Sequence, residues 1–173
     1  MPAAQRGSRA REVVAPTHVR SDGSIAMVDV GAKAVTERFA HARANVRMPV
    51  PAADALRAAT LRKGDAFAAA QIAGIFAAKQ TAALIPLAHP LPLASVDVAF
   101  AWVESGLLQI DATARTSAAT GVEMEAMVAA SVAALTIYDM TKSLEKGIVI
   151  EAVRLMEKRG GKSGSWQAPP GAG

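Results

Sequence analysis

From Ala94 to Glu104 apolar and polar positions alternate: Val96, Val98, Phe100 and Trp102 share one side, and Ser95 and Asp97 the other. That is the period of a half-buried strand. Ser105-Gly106 is a turn signal, and Leu107–Arg115 continues as the partner strand, with Leu108 and Ile110 facing alike. Two longer stretches carry helical spacing. Gly64–Leu84 lacks proline, is rich in alanine, and places Phe67, Ile72, Ile75 and Leu84 near one broad face. Val122–Leu144 lacks proline and internal glycine, and Gly147 stops it. Ala44–Val50 reads as a short strand ended by Pro49 and Pro51, and Ile148–Met156 as a last strand rich in Ile and Val. Pro86, Pro90 and Pro92 force the chain out of the first helix into a stiff loop. The order strand, helix, strand, strand, helix, strand predicts an α+β, ferredoxin-like βαββαβ fold: an antiparallel sheet with the helices packed on one face.

Residues 1–24 are polar and aperiodic and predict a disordered basic tail; 25–164 form a single domain; 165–173 predict a second disordered tail. The length of 173 residues suits this division. Much of the apolar content is alanine, which lets helices and subunits approach closely. The absence of cysteine excludes disulfides, thiolate metal sites and a cysteine nucleophile. The basic pI suggests nucleic acid, but Arg6, Arg9, Arg11 and Arg20 against Glu12 leave +3 on residues 1–20, out of +4 for the chain. The body is therefore nearly neutral, whereas a phosphate-tracking surface wants a basic face on the folded domain. Exposed sheet aromatics, which an RNA-recognition domain needs, are also lacking. No stretch suits a bilayer span or a secretory signal, so a soluble cytoplasmic protein is expected.

Several residues have two readings. Lys63-Gly64-Asp65 is either a helix N-terminal cap or a cation held beside free helix N–H groups. His89, between Pro86 and Pro90, is either packed or a substrate contact; it has no His or Cys partner at metal-ligand spacing, so no metal site is expected. Glu123 and Glu125 complement the helix dipole, or accept from a guanine-type edge. Asp139 and Lys142 share a helix face, as a surface ion pair or as an acid/base pair in an apolar setting. The segment 158–164 is not a Walker A loop, because Met156 stands where that pattern needs Gly and no helix follows. It remains a basic segment able to close over a phosphorylated ligand. Glu125 and Asp139 lie 14 residues apart in one predicted helix, roughly 21 Å at 1.5 Å per residue. One small pocket cannot easily use both from the same chain; either one is idle or the site joins two copies.

Met27-Val28-Asp29-Val30, Lys63-Gly64-Asp65, Leu84–Leu91, Thr120–Ala126, Ala129–Met140 with Lys142, and Gly160–Gly164 together carry a resemblance. Over residues 25–164 the sequence resembles the cyclic pyranopterin monophosphate synthase family, molybdenum cofactor biosynthesis protein C. The resemblance implies a ferredoxin-like homohexamer, a trimer of dimers with sites at the dimer interface. It implies a lyase that converts 3′,8-cyclo-7,8-dihydroguanosine 5′-triphosphate into cyclic pyranopterin monophosphate and pyrophosphate. No cofactor is implied, though Mg²⁺ can accompany the triphosphate. By the same resemblance Asp139, Lys63 and Lys142 are expected to be catalytic. Leu87, Ala88, His89, Glu123, Met124, Glu125, Lys158, Asp29 and Lys162 are expected to bind substrate. The family usually has Cys at the Ala88 position, so a thiol nucleophile is not expected. It usually has Lys or Arg at the Ala119 position, and that lost cation leaves a second expectation: a catalytically weak paralogue acting as a nucleotide-binding or regulatory module.

Overall fold

The computed structural model describes residues 19–20, 22–61 and 63–170. A central strand, β1 (Thr36–Arg47), alternates buried Ala40, Ala42, Ala44 and Val46 with outward Phe39, His41, Arg43 and Asn45. It pairs antiparallel with β3 (Leu107–Ala118) on one side and β4 (Val149–Arg159) on the other. β2 (Leu93–Glu104) forms the hairpin with β3, giving the order β2-β3-β1-β4-β5, where β5 is Trp166–Gln167. The helices α2 (Ala66–Lys79) and α4 (Glu123–Thr141) lie against one another, α2 over β2 and α4 across β1, β3 and β4. The architecture is the expected ferredoxin-like α+β arrangement.

The core is made mostly of small side chains. Ala126, Ala129, Ala130, Ala133 and Ala134 of α4 are fully buried over Ala40, Ala42, Ala44, Ala112 and Ala114 of the sheet, with Leu108, Ile110 and Ile137 as the larger fillers. Small residues allow close approach at Gly74 of α2: a Cβ there would stand 2.9 Å from the Ala129 carbonyl and 3.3 Å from Ala133 Cβ. The opposite face of the sheet is polar. There His41, Arg43 and Gln109 converge on the Asp111 carboxylate at 2.6, 2.9 and 2.6 Å.

Several expectations are corrected. β1 begins at Thr36, well before Ala44, and ends at Arg47. Pro49 and Pro51 open an extra helix, α1 (Val50–Arg57), because proline is tolerated in a first turn whose N–H groups have no helical partner. The helix expected over Gly64–Leu84 starts at Ala66 and breaks at Gln80, leaving a short α3 (Thr81–Leu84). α4 ends at Thr141, earlier than Leu144. The unstructured C-terminal tail does not hold at Trp166–Gln167, which pair with Lys158 and Glu157 along the edge of β4. Likewise Val19 pairs with Ile25 across a turn, while residues 1–18 of the expected N-terminal tail lie outside the described residues.

Candidate functional site

The expected site residues fall into two groups at the two ends of α4. At its C-terminal end, Lys63 Nζ donates to the Asp139 backbone carbonyl at 2.6 Å and to its carboxylate at 3.0 Å. Lys142 Nζ meets the other carboxylate oxygen at 2.6 Å. Local sequence builds this cluster. Gly64, at φ +95°, turns the chain, and Asp65 caps α2 by accepting from Ala68 N at 3.0 Å. That fixed turn delivers Lys63 to the last turn of α4. The capping reading of Asp65 and the functional reading of Lys63 are therefore compatible.

Of the two readings of Asp139 and Lys142, the single chain shows the surface ion pair: the side chains of Lys63, Asp139 and Lys142 are 40%, 56% and 52% exposed. Hydrogen bonds from Lys142 and then Lys63 hold the Asp139 carboxyl below its ordinary range, and the bond to Asp139 raises the Lys142 ammonium above its own. In this environment the aspartate stays ionised and Lys142 stays charged. Such a trio can bind an anion or give a proton; to take one, a lysine must lose water or its partner.

At the N-terminal end of α4, a cavity of about 390 Å³ gathers Leu87, Ala88, His89, Glu123, Met124 and Glu125. The proline loop is pinned at its end by Thr116 Oγ1, which donates to the Pro92 carbonyl at 2.7 Å. His89 donates Nε2–H to the Val28 carbonyl at 2.9 Å, which ties the segment Val28–Val30 over the cavity. The bond places the ring proton on Nε2 and leaves Nδ1 as the atom able to accept from a ligand. Glu123 folds back over Gly121, where a Cβ would collide with its carboxylate at 1.8 Å. Glu125 is only 3% exposed, and burial pushes its carboxyl up, with the neighbouring Glu123 charge adding to the shift. A buried carboxylate lining a cavity is an acceptor held ready for a donor-rich edge.

A second cavity of about 760 Å³ adjoins the first, sharing Lys33, Thr120, Gly121 and Glu123, and adds Lys158, Lys162 and Ser163. Lys158 Nζ is bonded to Ser163 Oγ. Asp29 stands apart from both cavities: its carboxylate accepts from Gly31 N at 2.8 Å and shapes a turn, while Val28 and Val30 line the wall. Sequence reasoning missed Lys33 and Arg38, which line the second cavity. Arg38 looks like the solvent side of an alternating strand, and nothing in the spacing ties Lys33 to the distant Lys158; only the fold brings them together.

One chain thus carries two half-sites, a Lys–Asp–Lys trio and an acceptor-lined cavity with a cationic annex. The separation follows from α4 itself, since Glu125 and Asp139 belong to the same helix. Comparison with known proteins accounts for the combination. Residues 27–161 match the sequence profile of the MoaC family. The chain is 57% identical over 152 residues to the cyclic pyranopterin monophosphate synthase of Novosphingobium aromaticivorans, covering 88% of this chain and 96% of the relative. It is 54% identical over 154 residues to the synthase of the same name from Herpetosiphon aurantiacus, with 88% and 94% covered. It is 51% identical over 150 residues to that of Corynebacterium efficiens, with 87% and 96% covered. With one profile covering residues 27–161 and three relatives matched over nearly their whole length, the chain belongs to the MoaC family.

Proposed function

We propose that the protein is a cyclic pyranopterin monophosphate synthase, a lyase of molybdenum cofactor biosynthesis. It rearranges 3′,8-cyclo-7,8-dihydroguanosine 5′-triphosphate into cyclic pyranopterin monophosphate and releases pyrophosphate. The observation that carries this reading is the pairing of a buried acceptor, Glu125, with a cation-lined annex in one continuous depression. A guanine-derived ring system offers N–H donors, and a triphosphate offers charge; the two chambers suit the two ends.

In this reading Glu123, Glu125 and His89 hold the base and sugar edges, with Leu87, Ala88 and Met124 as the wall. Lys158 and Lys162 take the phosphates and stabilise the departing pyrophosphate. Lys63 and Lys142 move protons while Asp139 orients them. The trio is too exposed in one chain to be tuned for that task. A second copy that laid its N-terminal half-site over the trio would exclude water and complete the set. Exposed Ile72, Phe76 and Leu135, at 69%, 62% and 57%, give the helix layer apolar surface to cover. The homohexamer, a trimer of dimers with sites between chains, is the assembly that this reading adopts. No redox change occurs, so no resident cofactor is assigned; a divalent cation would arrive on the triphosphate. The enzyme is placed in the cytoplasm with its nucleotide substrate.

The test is direct. Purified protein is given the cyclised nucleotide, and both pyrophosphate and the cyclic phosphate product are followed. Turnover by the wild type is expected, with Lys63→Ala and Asp139→Ala each slower by about 100-fold or more. Binding without product would favour the regulatory module that Ala119 suggests. Wild-type turnover by either variant would remove the trio from the mechanism.

A further inference from the structure

The buried face of β3 reads Leu108, Ile110, Ala112, Ala114, Thr116 and Ala118: one polar side chain in an apolar row, and only 3% exposed. A hydroxyl taken out of water costs free energy unless it keeps a hydrogen bond, and valine would fill nearly the same space without that demand. The bond that Thr116 keeps leads away from the core. Its Oγ1 donates to the Pro92 carbonyl at 2.7 Å.

That carbonyl is the last one of the proline loop before β2. Leu93 pairs with Thr116 and Ser95 with Arg115, so Ala94 is an extra residue, a bulge where loop becomes strand. The ladder is therefore irregular just where the loop has to be aimed. Pro86, Pro90 and Pro92 bring no N–H groups, so the loop is held chiefly through its carbonyls and side chains. Thr116 ties its end, and His89 ties its middle by donating Nε2–H to the Val28 carbonyl at 2.9 Å. Between the ties, Pro90 and Pro92 fix φ, so a displacement at residue 92 is passed on to His89 rather than absorbed. His89 lines the cavity at the N-terminal end of α4 with Leu87, Ala88 and Leu91; Thr116 is not part of that lining, so its influence there runs through the loop.

We propose that Thr116 is a positioning residue: by holding the Pro92 carbonyl it sets where His89 Nδ1 stands in that cavity. What depends on it is recognition of the ring-and-sugar end of a purine-derived nucleotide. The ligand class rests on the function proposed above. The mechanical link from Thr116 to His89 does not, and the two can fail separately.

Two variants of the full-length protein separate positioning from packing. Thr116→Val keeps the volume and removes the donor; Thr116→Ser keeps the donor and removes a buried methyl. Thr116→Val is expected to raise KM for the cyclised nucleotide about tenfold, with a smaller change in kcat. Thr116→Ser is expected to stay near wild type in both, although urea unfolding finds it the less stable of the two. In a His89→Ala background Thr116→Val is expected to add no further loss, because a residue that acts through another is not additive with it. Without nucleotide, amide hydrogen exchange at Ala88, His89 and Leu91 is expected to be about tenfold faster in Thr116→Val than in wild type. Wild-type exchange in Thr116→Val would overturn the link to the loop, and additive losses in the double variant would overturn the route through His89. A loss in Thr116→Ser equal to that in Thr116→Val would make the residue a packing element only. If Thr116→Val does not fold, Thr116→Ala removes the same donor beside Ala114 and Ala118 and is expected to raise KM likewise. Faster exchange in the variant, beside a wild-type protein that leaves the nucleotide unchanged, would support the link while sinking the synthase reading.

Discussion

Asp111 shows how one side chain can hold a sheet face together. Burial alone would raise its carboxyl, but hydrogen bonds from His41, Arg43 and Gln109 outweigh it and hold the pKa at about 2. An acid depressed in the folded state adds stability above its unfolded pKa, near 3.9, and loses it as pH falls through the folded value. Asp111→Asn is therefore expected to cost about 2 kcal/mol near neutral pH, and the gap to wild type should close between about pH 4 and pH 2. Urea unfolding at several pH values reads this directly; a gap independent of pH would mean that packing, not charge, holds the network. At this scale the sequence was partly legible. His89, Glu123 and Glu125 share one wall, as their motifs implied. Asp29, expected beside them, shapes a turn by accepting from Gly31 N in the single chain. Arg38 was invisible, because a charged residue on an alternating strand ordinarily faces water.

Among the elements, those with strong periodicity were readable. The β2–β3 hairpin, α2 and α4 lie close to their expected spans, because Val, Ile, Phe and Trp mark a face clearly. The first half of β1 was not readable, because its buried face is Ala40 and Ala42, which alternate with charge but carry little hydrophobic contrast. α1 was hidden by prolines that usually end structure and here begin it. The small-residue seam between α2 and α4 has a measurable limit. Gly74→Val would push a side chain into the Ala129 carbonyl, Val98 and Ala133, all within 3.3 Å of the first added carbon. Overpacking of this kind typically costs about 1–3 kcal/mol. A β-branched residue gains little helix propensity over Gly to offset it. Chemical denaturation should show a loss in that range; an unchanged midpoint would mean that the two helices slide apart freely.

For the whole molecule, the governing fact is that one rigid helix carries both half-sites. Lys63 and Asp139 touch within a single chain, so variants at these two positions cannot complement one another through mixed assembly. The informative mixture pairs Lys63→Ala with Glu125→Gln, which damage opposite ends. If each site joins the trio of one chain to the cavity of another, random equimolar mixing leaves roughly a quarter of sites with both halves intact. Specific activity near that fraction, against almost none for either parent, is the expected result after dissociation and reassembly. No recovery would return the whole site to one chain.

The short strand β5 has a practical consequence. Trp166 pairs directly opposite Lys158, whose Nζ donates to Ser163 Oγ in the loop, whereas the chain's other indole, Trp102, lies under Arg57 on β2 at the far edge of the sheet. Nature has thus put a fluorophore next to the cationic chamber and kept the second one away from it. Intrinsic emission, with Trp102→Phe as a background-free form, offers an optical readout of occupancy there without any label.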